Sequence, residues 1–141
     1  MATSNPASYA LAAVRILTGA LMFWNHGLGK AVAAWDHLLR GAEWKLVDVA
    51  GAMGFPKPLW FALAAAAVES TGALMLALGV YTRWAALSLA TVMAVAVMRH
   101  LTTDYRFELA ALYLALSVIF VFNDRLPLSL VSPKRGKKPA G

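Results

Sequence analysis

The sequence contains no cysteine, which excludes disulfides, thiolate metal sites and thiol–disulfide relay chemistry within the chain. Any redox role therefore needs another carrier of electrons. Charge is also scarce: 14% of the residues are Asp, Glu, Lys or Arg and 60% are hydrophobic, whereas an ordinary soluble domain is about a quarter charged and half apolar. That deficit points to lipid as the solvent. Acidic side chains are the rarer sign, 7 against 13 basic ones. The resulting charge of +6 could suggest nucleic acid, but Lys134, Arg135, Lys137 and Lys138 gather much of it into one short tail. Beside a membrane span, such a tail is a topology signal facing anionic lipid, and no nucleic-acid partner is expected. A dinucleotide-binding glycine motif is absent too, so a complete redox enzyme in this one chain is not expected. The first eight residues carry no charge and lack the basic region and small-residue cleavage site of a secretory signal, so the first apolar segment is expected to stay in the mature protein.

What the sequence has instead is long apolar runs. A span needs about 20 mostly apolar residues at ~1.5 Å rise each to cross a ~30 Å hydrocarbon core. Four segments meet or approach this: Tyr9 to Asn25, Leu59 to Val80, Trp84 to Met98 and Phe107 to Phe122. Trp24, Trp60, Tyr81 and Trp84 fall near their ends, where amphipathic rings settle at the headgroups. Between the first two spans, Trp35, Leu38, Leu39, Leu46, Val49 and Met53 recur at helical intervals among charged residues, which predicts an interfacial amphipathic helix. Pro56 and Pro58 then break that segment and launch span two, and the tight connection at Gly79 makes spans two and three antiparallel neighbours. The expected fold is all-α, a polytopic membrane four-helix bundle with an interfacial amphipathic helix between spans one and two. It divides into a short N-terminal tail (1–8), the membrane domain (9–124) and a basic flexible C-terminal tail (125–141). Four spans place both termini on one side. Basic residues flanking the spans divide equally between the two faces, but the tail concentrates its share without acidic neighbours, which favours cytoplasmic termini.

Two charges fall deep inside the spans, Arg15 and Glu69. An unpaired charge at mid-bilayer costs about 2.5–3.5 kcal/mol even on lenient insertion scales, so each needs an explanation. Arg15 lies eleven residues before His26 and Glu69 eleven residues after Pro58. If the two helices meet the same surface there, both side chains sit ~16 Å below it, which predicts an Arg15–Glu69 ion pair with bidentate hydrogen bonds. Such a pair could simply fix helix register, or it could line a ligand or proton-coupled site. Arg15, Gly19, Met22, His26 and Lys30 share one helical stripe leading from mid-membrane to the surface. Spans one and three run parallel, so Arg99 and His100 emerge beside that stripe, with Glu108 opening span four nearby. Neutral histidine could relay protons or hydrogen-bond a quinone carbonyl. His26 and His100 could alternatively be axial haem ligands or, with Glu108, bind a metal, but no local spacing motif supports either, and no metal is expected.

The pattern of Arg15, His26-Gly27, Lys30, Gly54-Phe55-Pro56, Glu69, Gly79 and Thr82-Arg83, continuing to His100 and Glu108, resembles the DoxX family over roughly residues 9 to 124. Unlike many relatives, the chain has Asn25 before His26 and a shortened segment after Asn123 without a glycine-rich ending. The resemblance implies a four-helix protein associated with quinone-linked oxidoreductases, among them the small membrane subunit of thiosulfate:quinone oxidoreductase. Other members are linked to oxidative-stress complexes with superoxide dismutase and a sulfurtransferase. The expectation that follows is an integral subunit of the bacterial cytoplasmic (inner) membrane, with quinone as cofactor and electrons delivered by a redox partner subunit. Arg15, His26, Glu69, His100 and Glu108 would handle protons, and Arg15, His26, Lys30, Glu69 and His100 would contact the quinone. The rival expectation is a non-enzymatic membrane scaffold or small-molecule transporter, and either could form a homo-oligomer.

Overall fold

In a computed structural model, residues 5–131 are described, and they are almost entirely helical. Helix α1 (Pro6–Arg40) starts where the Asn5 side chain accepts a hydrogen bond from the Ala7 amide at 3.0 Å and Pro6 presets the first turn. It ends at Gly41, whose φ of 66° closes the helix in the left-handed region. Next come the short α2 (Lys45–Ala52), then α3 (Pro58–Leu78), α4 (Thr82–Thr103) and α5 (Glu108–Phe122). Helices α1, α3 and α4 are long and apolar enough to cross a membrane; α5 is apolar but has 15 residues.

The first helix does not stop where the sequence reading placed its end. The expected span ended at Asn25, whereas α1 continues through His26 and Lys30 to Arg40. No proline interrupts residues 7–40, and Gly27 is held inside the helix by its packing against α3. Only α2 remains of the connector as a separate helix. It is seated by Trp44, which is buried with Ala34, Ala62 and Ala66.

Helices α1 and α3 pack antiparallel along their length, and small residues set how close they come. A Cβ at Gly19 would lie 2.5 Å from the Ala77 nitrogen and 2.6 Å from the Ala73 carbonyl oxygen. In lipid, where helix association depends on close packing and not on hydrophobic expulsion, such contacts carry much of the cohesion. Helix α4 packs on the second half of α3, and α5 runs along α4 and also touches α1. The core between them is made of Ala12, Met22, Leu76, Leu89, Met93 and Phe120. Leu17, Leu21, Trp24, Trp60, Trp84 and Met98 point outward, as lipid-facing side chains would.

The start of the expected C-terminal tail lies within the described residues. Residues 123–131 fold back on the bundle: Leu126 is buried, and the Leu130 and Val131 amides donate to the carbonyls of Leu78 and Gly79 at 3.1 and 3.3 Å. Arg15 anchors this strap. Its guanidinium donates through Nη1 to Ser129 Oγ and through Nη2 to the Leu128 carbonyl at 2.7 Å. The basic part of the expected tail, Lys134 to Lys138, lies outside the described residues.

Candidate functional site between two π-helical turns

Two helices leave the α-helical repeat at the same depth. Phe23–Gly27 in α1 and Val68–Gly72 in α3 each form a π-helical turn, and the two turns touch. One extra residue per turn re-aims the side chains that follow, and such turns are frequent at functional sites. The contact depends on Gly27: a Cβ there would lie 2.5 Å from the Glu69 carbonyl oxygen and 2.8 Å from the Ser70 Cα. Gly27→Ala should therefore lower stability by about 1–3 kcal/mol, since the obstacle is backbone that cannot rotate away. Gly29→Ala, where a Cβ would meet open space, should not destabilise the protein. Thermal unfolding of both variants in the same detergent checks this contrast.

The close approach sets the register and corrects the expected ion pair. Gly27 faces Glu69, and Gly19 faces Ala73 and Ala77, so Glu69 is level with the His26–Lys30 end of the stripe. Arg15 lies 12 residues before Gly27 on α1, roughly 18 Å further along the axis at ~1.5 Å per residue. It reaches Gly79, Leu128 and Ser129 instead. The partner of Glu69 is Lys30, whose Nζ donates to both carboxylate oxygens. The Glu69 side chain is 4% exposed and that of Lys30 31%, so the pair joins a buried anion to a cation reaching in from the surface. The expected depth match failed because it took His26 as the end of the first helix, and α1 runs on to Arg40.

The pair stands between two cavities. One, of about 260 Å³, lies toward α5 and is lined by His26, Met93, Arg106, Leu109 and Tyr113 together with Lys30, Glu69 and His100. The other, of about 450 Å³, lies beneath α2, with Leu46, Phe61, Val95 and Arg99 in its wall and the same Lys30, Glu69 and His100. His26 meets the Tyr113 ring edge-on at 5.8 Å between centroids. His100 Nδ1 lies 2.8 Å from Asp104 Oδ1 just past the end of α4. That hydrogen bond, with the Arg106 amide and the nearby charges of His100 and Arg99, holds the Asp104 carboxyl below its ordinary pKa against the opposing effect of desolvation.

Of the residues singled out from the sequence, His26, Lys30, Glu69 and His100 are brought together. Arg15 is at the opposite end of the bundle, and Glu108 is exposed on the first turn of α5. Tyr113 and Arg106 were not anticipated. Tyr113 had a visible signal, a phenol within the apolar run of α5. Arg106 had none beyond its place in the α4–α5 connection.

An ammonium–carboxylate pair, two imidazoles and a phenol around apolar-walled cavities can bind a ligand with polar edges and move protons to or from it. Comparison with curated proteins and with solved structures returned no match. The family model for DoxX matches residues 10–102, which includes His26, Lys30, Glu69 and His100 and leaves out α5. This span covers well over half of the sequence, and the chain belongs to the DoxX family.

Proposed function

We propose that the chain is the integral membrane subunit of a quinone-linked oxidoreductase system, with its ligand site in the cavity toward α5, beside Lys30 and Glu69. The observation that carries this reading is the Lys30–Glu69 pair itself. A nearly buried carboxylate is held between two cavities and flanked by His26 and His100, in a helix long and apolar enough to span the bilayer. Ionisable groups at that depth are costly and are by default functional. The cavity toward α5 has apolar walls at Met93 and Leu109, with imidazole, ammonium and phenol groups also lining it, which suits an apolar ring bearing two carbonyls.

When bound, a quinone supplies two-electron, two-proton redox capacity. In this reading His26 and Lys30 orient the carbonyl edge, Glu69 keeps the Lys30 ammonium aimed inward, and His100 with Asp104 links the site to the surface. Electrons come from a partner subunit, since the chain has no thiol. The proposal extends to topology. Helix α5 is a fourth span that relies on locally thinned bilayer, α2 lies at the interface, and both termini face the cytoplasm of a bacterium.

The test is binding of a short-chain quinone analogue to the purified protein in nanodiscs, followed by tryptophan fluorescence. Saturable binding is expected, weakened about tenfold or more by His26→Ala and by Glu69→Gln, the loss of one charge-assisted contact being worth about 1.5–3 kcal/mol. A well-folded wild-type protein that binds no quinone would overturn the proposal in favour of a scaffold or a transporter.

A further inference from the structure

The cavity beneath α2 does not end at the ion pair. It continues into an apolar cleft of about 340 Å³ between α3 and α4, and Phe61, Ala65, Val92 and Val95 line both. The cleft has a structural cause. The second half of α3 packs tightly on α4, with Leu89 against Gly72, whereas its first half, Pro58–Ala67, scarcely touches α4. The two helices thus diverge toward the end covered by α2, and the gap is walled by Ala64, Val68, Ser88 and Thr91. At that end the charge is mainly positive. Lys30, Lys45 and Arg99 stand against Glu69 and Asp104. Glu69 is engaged by Lys30, while Asp104 accepts from the Arg106 amide and pairs with His100. Among the described residues, neither Lys45 nor Arg99 has a carboxylate within ion-pair distance.

We propose that this mouth and cleft bind an anionic phospholipid of the surrounding bilayer, its phosphate held by Lys45 and Arg99 and one acyl chain lying in the α3–α4 cleft. The geometry asks for one ligand with two different ends. Two cations without carboxylate partners attract an anion, and basic pockets between membrane helices commonly hold anionic headgroups. The adjoining cleft is lined mainly by Phe, Val and Ala, and the Ser88 and Thr91 hydroxyls in its wall donate to the carbonyls of Trp84 and Leu87, so it offers little to a free inorganic anion and suits a hydrocarbon chain. A bilayer lipid satisfies both ends at once and needs no route through water. The site is separate from the quinone reading: phosphate contacts fall on Lys45 and Arg99, away from His26 and Tyr113, and it stands if no quinone binds.

The experiment is native mass spectrometry of the full chain purified with equal amounts of phosphatidylglycerol and phosphatidylcholine. The wild-type protein should retain phosphatidylglycerol preferentially, by about fivefold for each cation. Lys45→Gln with Arg99→Gln should abolish the preference, and Val95→Trp, which fills the cleft, should lower retention of both lipids. Lys45→Gln alone, at an exposed position, should halve the preference on a logarithmic scale and provides the reading if the double variant unfolds. Equal retention of the two lipids by the wild-type protein would overturn the proposal. So would a preference that Lys45→Gln leaves undiminished, or one that inorganic phosphate competes away as effectively as added phosphatidylglycerol.

Discussion

Lys30→Met should destabilise the protein by about 3–5 kcal/mol, because it leaves the Glu69 carboxylate buried without a counter-ion. The arithmetic is asymmetric. The Glu69 side chain is 4% exposed, and its two oxygens share the one ammonium, so it loses its ion-pair partner while staying largely buried when Lys30 is lost. Lys30 is 31% exposed and flexible. In Glu69→Gln it can swing its ammonium outward, as lysines near helix ends do, and that variant should lose clearly less than Lys30→Met. Joining the changes as Lys30→Met with Glu69→Gln should recover most of the stability, since no unpaired charge remains. Unfolding of the four proteins in a mixed-detergent titration gives the coupling energy directly. A double variant as unstable as Lys30→Met would mean that the pair is not the interaction being lost.

Arg15→Met should act at the other end of the bundle and in a different way. Arg15 is fully buried, and its hydrogen bonds go to Ser129 Oγ and the Leu128 carbonyl, not to a carboxylate. Each charge-assisted bond of this kind is worth about 1.5–3 kcal/mol. Removing both should free the strap of residues 123–131, but removing the guanidinium also relieves its own desolvation, so global stability should change less than the strap does. The expected result is a rise of about tenfold to more than a hundredfold in amide exchange at Leu130 and Val131, which are bonded to Leu78 and Gly79. Quinone binding at the far site should be unaffected. Unchanged exchange at those two amides would show that the strap is held by Leu126 and its backbone bonds alone.

How much of this could be read from the sequence differs from residue to residue. The stripe Arg15, Gly19, Met22, His26 and Lys30 needed only helical periodicity, and the structure turns it toward α3, with Arg15, Gly19 and Met22 buried. The meeting of Lys30 with Arg99 and His100 needed only the parallel course of spans one and three. The partner of Glu69 needed the register of α1 against α3, and that is set by a backbone contact at Gly27 to which hydropathy is blind. The π-helical turns were illegible for a related reason: an extra residue per turn disturbs the same periodicity used to recognise a helix. Glu108 was placed at the mouth by sequence proximity to α5's start, but the direction of its side chain depends on the phase of that helix. The strap required knowing that residues 113 and 114 positions apart would meet.

That separation bears on how the protein is made. Arg15 belongs to the first of the described helices to be synthesised, and its partners Leu128 and Ser129 are among the last of the described residues. At about 5–20 residues per second, roughly 6 to 23 s pass between the synthesis of the guanidinium and that of the groups that accept from it. During that interval the first helix must keep its charge in the insertion machinery, at the membrane surface, or against water drawn into the bilayer. Helix α1 can therefore be tied down at Arg15 only when residues 123–131 arrive, and a chain released before them would leave a buried arginine without Leu128 and Ser129 as acceptors.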